Sequence, residues 1–296
     1  MMASISNERL ALIYGLGAVG LWSTVATAFK LSLAHVSPLL LVTVASITSW
    51  IFLGALVLVT GEWRELVGLP RIKVLRLLLL GLLNPALYYF VLFAAYDRLP
   101  AQEAMALNYT WALVLPLLAA PLLGQALQSR DIIAALISYF GVFIIATRGD
   151  LLSFRLSDPT GVGLAMGSTV IWALYWIANT RIDTPPVAGL FVAFTAAAGV
   201  LGSWGALNGD LFAIGWQGLA GGLYVGVFEM GVSFILWLQA MRLTRQAARI
   251  STLIFLSPPL SLVLIWGILG EAILPSTLGG LAFILLGLAL QHLKRS

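Results

Sequence analysis

The chain has no cysteine and only two histidines, and charged residues fill just 9% of its 296 positions. Each scarcity excludes a chemistry. Without cysteine there are no disulfides, thiol nucleophiles or cysteine-bound metals. His35 and His292 fall near the ends of apolar runs, so no histidine cluster is available for a metal or a nucleophilic dyad, and no cofactor is expected. No Gly-x-x-x-x-Gly-Lys-[Ser/Thr] loop occurs, which removes ATP as an expected driver. What is abundant is apolar: 60% of residues are hydrophobic and the mean hydropathy is +1.00. A soluble globule of that make-up would expose too much apolar surface, so the expected surroundings are a lipid bilayer. The net charge is only +4, and the basic residues sit in short gaps between apolar runs. That pattern orients membrane proteins, and nucleic acid is not an expected partner.

At ~20 residues per crossing, the charged and Pro/Gly-rich gaps divide the chain into ten segments, near 10 to 34, 38 to 60, 73 to 96, 101 to 123, 131 to 147, 160 to 181, 186 to 207, 215 to 241, 247 to 270 and 274 to 292. Backbone polar groups in lipid must be satisfied within the segment, so the expected fold is all-α. The first segment has one basic residue ahead of it, Arg9, and is longer than the ~7 to 15 residues of a signal-peptide core, so it reads as a retained span. Ten spans put both ends on one face. That face receives Arg9, Arg64, Arg71, Lys73, Arg76, Arg130, Arg181, Arg242, Arg245, Arg249, Lys294 and Arg295, against Lys30, Arg98, Arg148 and Arg155 opposite. The bias predicts cytoplasmic termini.

The two halves echo each other. Leu21-Trp22 recurs as Ile171-Trp172 at an offset of 150, and Gly124-Gln125 with Gly141 recurs as Gly270-Glu271 with Gly287 at an offset of 146. With five spans per half, such a repeat is inverted across the membrane, which places a substrate site at the midplane between halves. The expected division is an N-terminal five-helix repeat over 1–148, a linker over 149–159 and a C-terminal five-helix repeat over 160–296.

Polar and aromatic residues at mid-span mark the candidate site. Glu229 stands in an apolar run from Trp216 to Met241 with no charge close by, and an acid at bilayer depth points to function by default. Ser233 and Trp237 follow it at i+4 and i+8. Ser168, Trp172, Tyr175, Trp176 and Asn179 line one side of the sixth span. Asn108 and Trp111 share a face of the fourth with Tyr109 beside them, and Asn84 and Tyr88 align across Pro85 in the third, where the proline is expected to bend the helix. Blander readings stand beside these. Each Asn or Ser serves equally well as glue between helices, and Glu229 serves as a protonated structural donor. The Gly163/Gly167, Gly218/Gly222 and Gly222/Gly226 pairs fit close helix packing, and the Arg242, Arg245 and Arg249 group fits topology.

The ten spans, the related halves, the early mid-span Trp in each half and the closing blocks Leu99 to Ala146 and Leu243 to Leu290 resemble the drug/metabolite transporter superfamily, in its EamA-like branch. Asn108-Tyr109-Thr110-Trp111 is similar to the Asn-Tyr-x-Trp element of the YddG-type aromatic amino-acid exporters of bacterial inner membranes. That element carries a proline directly after the Trp, where this chain has Ala112, with Pro116 a turn later. The resemblance implies export of amino acids through a central cavity between the halves. The residues agree: a zwitterion needs donors and acceptors with little net charge, and an aromatic side chain stacks on Trp and Tyr. Branches that carry phosphorylated metabolites need cations deep in the membrane, and none occurs here beyond Lys30. Related small multidrug pumps keep an acid in the first helix, whereas this first helix has none after Glu8. Proton-coupled efflux through Glu229 stays open as the alternative. A membrane enzyme is the reading from another class, but no serine–base pair or acidic motif supports it.

Overall fold

The computed structural model describes residues 7–124, 129–152, 156–179, 181–243 and 252–292. Gln125, Arg155, Arg245, Arg249, Lys294 and Arg295, used above for the repeat and the charge bias, lie outside them. All regular structure among the described residues is helical. The long apolar helices are α1 (Asn7–Leu33), α2 (Pro38–Thr60), α3 (Arg71–Arg98), α4 (Ala101–Leu123), α5 (Ser129–Ala146), α6 (Pro159–Asn179), α7 (Pro186–Leu207), α8 (Trp216–Ala240), α9 (Ser257–Leu269) and α10 (Pro275–His292). Seven of them, α1–α4 and α6–α8, are long and apolar enough to cross a membrane, and α5, α9 and α10 are shorter apolar helices. A short helix, Trp63–Val67, lies between α2 and α3.

Local signals set the boundaries. Pro38 opens α2 behind Ser37, whose Oγ accepts the Leu40 amide at 3.2 Å, the usual serine cap with proline in the first turn. Asp158 opens α6 by accepting the amides of Thr160 and Gly161, each at 3.0 Å. Gly124 and Gly270, related by the 146-residue offset, end their helices in the same left-handed conformation, both at φ 68°, which a residue with a Cβ adopts at a cost.

Helix pairing is reciprocal between the halves. α1 packs on the second part of α8 and on α9, and α6 packs on the second part of α3 and on α4. α2 packs on α7, and α5 on α10. In that last pair a Cβ on Gly280 would meet the Gly141 carbonyl and a Cβ on Gly287 would meet the Ala134 carbonyl. Shifting Gly141 and Gly280 by 146 residues in opposite senses gives Gly287 and Ala134, so the two close approaches exchange with the halves. The glycines at 218, 222 and 226 also abut α2 or the turn before it, at Val36, Val44 and Ala45. Gly163 and Gly167 do not fit the packing expectation: a Cβ at either would meet nothing within 4 Å. Their small size therefore serves no close approach.

Regular helix fails where the candidate site lies. In α3 the backbone leaves the helix at Asn84 (φ −146°, ψ 119°) before Pro85, as the missing proline amide requires. The corresponding stretch of α8, Val225–Val232, widens into π-type turns around Glu229. α4 tightens at Tyr109 and Thr110, where Thr110 and Leu113 donate to carbonyls three residues back. A 3₁₀ turn, Thr252–Leu256, precedes α9. Such irregular turns concentrate at functional positions.

Polar contacts gather at one end of the bundle, around the α3–α4 corner. Lys30 Nζ donates to the carbonyls of Tyr96 and Leu99 at 2.6 and 2.7 Å. Glu271 accepts the Ala101 amide at 3.0 Å, and Gln102 bonds Ala272 O and Leu274 N. Glu103 is fully buried, with Arg148 Nε at 2.7 Å and Ser157 Oγ at 2.9 Å. Burying a carboxylate without such partners would be far costlier.

Candidate substrate site

The helix breaks bring side chains from both halves around one cavity of about 70 Å³. α1 contributes Trp22 and Phe29, α3 Tyr88 and Tyr96, α4 Asn108, Tyr109 and Trp111, α6 Trp172 and α8 Glu229. Among the described lining residues there is one acid and no Lys, Arg or His. In this measure a water takes ~10–15 Å³, so the space admits a few waters and a substrate needs some expansion.

Trp172 is the hub of the wall. Its ring lies 4.5 Å from Tyr88, 6.3 Å from Trp111, 5.8 Å from Trp176, 5.8 Å from Phe234 and 6.0 Å from Tyr175. These separations fall in the range of favourable aromatic pairs. Asn108 Nδ2 donates to Ser168 Oγ at 3.0 Å and approaches Tyr88 Oη at 3.5 Å, while Ser168 donates to Ala165 O at 2.6 Å. Asn108 is therefore fixed by the sixth helix. Tyr89, fully buried beside the cavity, donates from its Oη to Glu229 Oε1 at 3.0 Å.

Two polar atoms of the lining residues are left over. Trp172 Nε1 and Glu229 Oε2 are buried and have no hydrogen-bond partner in the protein, and Asn84 Oδ1 is in the same condition nearby. Each such atom costs about 1–3 kcal/mol when nothing satisfies it, and natural proteins leave few without a reason. A donor and an acceptor are thus left without a protein partner on two residues that line an aromatic cavity.

The structure separates the remaining candidates. Tyr175, Trp176 and Asn179 line a second cavity of about 180 Å³, between α3, α6, α7 and α8. Asn84 is buried facing the Tyr175 hydroxyl. Ser168 stands behind Asn108, and Ser233 donates to the Glu229 carbonyl of its own helix. Trp237, expected on the Glu229 face, instead packs on Trp22 at 5.1 Å, in a small cluster with Ala11 and Ala240, and lines neither cavity. The π-type turns between Glu229 and Ser233 widen the helix, so the i, i+8 register of a regular helix no longer holds. Tyr89, Phe29 and Tyr96 were not singled out from the sequence. A face argument on α3 selects Tyr88 and its i+4 neighbours, and nothing in the pattern marks Tyr89. Trp22 carried a signal, as the repeat partner of Trp172.

The EamA-like transporter family model matches the chain twice, over residues 9–147 and 159–291. The chain belongs to that family, and it is a multi-pass membrane protein that takes a small-molecule substrate. It is 26% identical over 307 residues to an uncharacterized transporter, YvbV, of Bacillus subtilis, covering 99% of this chain and 94% of the relative. It is 29% identical over 239 residues to the aromatic amino acid exporter YddG of Ancylobacter novellus, covering 78% and 79%. A solved crystal structure aligns with TM-score 0.63 at 24% identity, over 95% of this chain and 96% of that one, a likeness of fold alone.

Proposed function

We propose that the chain exports small zwitterionic metabolites, aromatic or other apolar amino acids, through the cavity between its halves. The observation that carries this reading is the pair of buried, unpartnered atoms on two lining residues, Trp172 Nε1 and Glu229 Oε2. An α-ammonium group supplies donors to Glu229, an α-carboxylate accepts from Trp172, and both orphaned atoms are satisfied at once. The rings of Tyr88, Trp111 and Trp172 then stack on an apolar or aromatic side chain, with each good pair worth ~0.5–1.5 kcal/mol. Among the described lining residues there is no cation, which argues against phosphorylated cargo. The relative named as an aromatic amino acid exporter adds support.

The frame for this transport is ten membrane spans arranged as two inverted five-helix repeats, with both termini cytoplasmic in a bacterial inner membrane. The reciprocal pairing of α1 with α8 and α9, and of α6 with α3 and α4, supports the inverted relation. On this reading the chain is a transporter and not an enzyme, it uses neither ATP nor nucleic acid, and flux runs downhill. Proton-coupled efflux is the second reading, favoured by Glu229 being the one carboxylate on the cavity among the described residues.

Counterflow of labelled amino acids in liposomes, with and without a pH gradient, tests the function. Phenylalanine and tryptophan should exchange, and Trp172→Phe, which keeps a ring but removes the N–H donor, should lower apparent affinity. An absence of exchange for every amino acid sinks the reading. Cysteines at Ser4 and Ser296 test the frame: in intact cells both should resist impermeant thiol reagents.

A further inference from the structure

We infer that the second cavity is a separate amino-acid subsite on the substrate's route, divided from the central cavity by a partition of packed aromatic rings; this rests on the amino-acid reading above. The central cavity holds about 70 Å³ and the second about 180 Å³. Trp172 lines the first, while Tyr175 and Phe234 line the second. Trp172 lies 6.0 Å from Tyr175 and 5.8 Å from Phe234, centroid to centroid. The two spaces therefore meet at packed rings, Trp172 on one side and Tyr175 and Phe234 on the other.

The chemistry of the second space matches the same class of ligand. Tyr175, Trp176 and Phe234 give aromatic faces, and Asn179 and Thr184 give neutral donors and acceptors. No charged side chain is among its described lining residues. A net-neutral zwitterion with an apolar or aromatic side chain suits such a lining, whereas a bare anion or cation would lose its hydration without a counter-charge.

Position gives the cavity its role. Asn179 ends α6 and Pro186 begins α7, so the space lies at the helix ends where those two meet. The central cavity reaches instead toward the opposite helix ends, with Phe29, Tyr96 and Met105 in its lining. At the opposite end of α6, Glu103 holds Arg148 and Ser157, and Glu271 and Gln102 join the α3–α4 corner to the loop before α10. Polar contacts thus gather at one end of α6, and toward its other end the aromatic partition stands between the central and the second cavity.

The chain's lack of cysteine makes the test direct. Thr184→Cys and Leu238→Cys, on different walls of the second cavity, are labelled with N-ethylmaleimide in liposomes with and without L-phenylalanine. The same pair is then labelled in an Asn108→Leu background, which impairs the central cavity. Phenylalanine should slow labelling several-fold at one or both positions, and the protection should persist with Asn108→Leu. Protection that vanishes in that background, or is absent from both positions in protein that does counterflow phenylalanine, overturns the second subsite and leaves the transport reading standing. Failure of counterflow for every amino acid removes the transport reading itself, and this inference with it.

Discussion

Tyr89 on α3 donates its phenolic hydrogen to Glu229 Oε1 on α8 at 3.0 Å, bridging 140 residues of sequence between the two halves. Tyr89→Phe keeps the ring and removes that donor, leaving both carboxylate oxygens of Glu229 without a partner. The hydrogen bond fixes the position of the carboxyl group, so apparent substrate affinity should fall at unchanged protein abundance. Equal affinity in counterflow would show that Tyr89 does not position Glu229 for the substrate.

Glu229→Gln separates an ammonium partner from a proton carrier. If the carboxylate binds the substrate's ammonium, the neutral amide weakens affinity, and neither wild type nor variant drives uphill flux with a pH gradient. Gradient-driven accumulation in the wild type that the variant loses would establish proton coupling instead.

Asn108→Leu deletes the donor that reaches Ser168 at 3.0 Å at similar side-chain volume. Ser168 keeps its own bond to Ala165 O, so the helix contact loses little while the polar face of the cavity is lost. Recognition should drop more than abundance, read as flux per protein in purified liposomes. A parallel collapse of both would assign Asn108 to helix packing.

Gly280→Ala would drive its Cβ into the Gly141 carbonyl across the α5–α10 contact, whereas Gly279→Ala meets nothing within 4 Å. Overpacking of this kind costs about 1–3 kcal/mol, while an exposed helical Gly→Ala gains up to about 1 kcal/mol from propensity. Melting of the detergent-solubilised protein should therefore fall for position 280 and hold or rise for position 279. Equal melting of the two variants would refute the close approach.

Asp158, at the start of α6, is held below the ordinary aspartate value of 3.8 chiefly by the Gly161 amide, with further help from the Arg98 guanidinium 3.1 Å away and the Thr160 amide. A carboxyl whose folded pKa is depressed contributes stability that is present above its unfolded value and lost as pH falls through the folded one. The melting temperature should thus decline below pH ~4, and Asp158→Asn should flatten that part of the decline. An unchanged acid limb in the variant would place the acid sensitivity elsewhere.

The sequence by itself determined where the helices run, because lipid leaves the backbone no choice of structure and the charged and Pro/Gly-rich gaps mark the ends. Segments expected at 38 to 60, 101 to 123 and 186 to 207 coincide with Pro38–Thr60, Ala101–Leu123 and Pro186–Leu207. It also marked Asn108, Trp111, Trp172 and Glu229, since polar and aromatic groups at bilayer depth are costly unless used. The tertiary structure decided which helix faces meet. Periodicity assigns residues to a side of one helix but does not fix its rotation against its neighbours, and it fails where the helix is irregular. The break at Asn84 and the π-type turns around Glu229 re-aim the side chains that follow. So Tyr89 reaches Glu229, Trp237 turns to Trp22, and the stripe on α6 divides between two cavities. Glu103 gave no sign of its burial, because its partners Arg148 and Ser157 lie 45 and 54 residues further along the chain and only the packed bundle brings them against it.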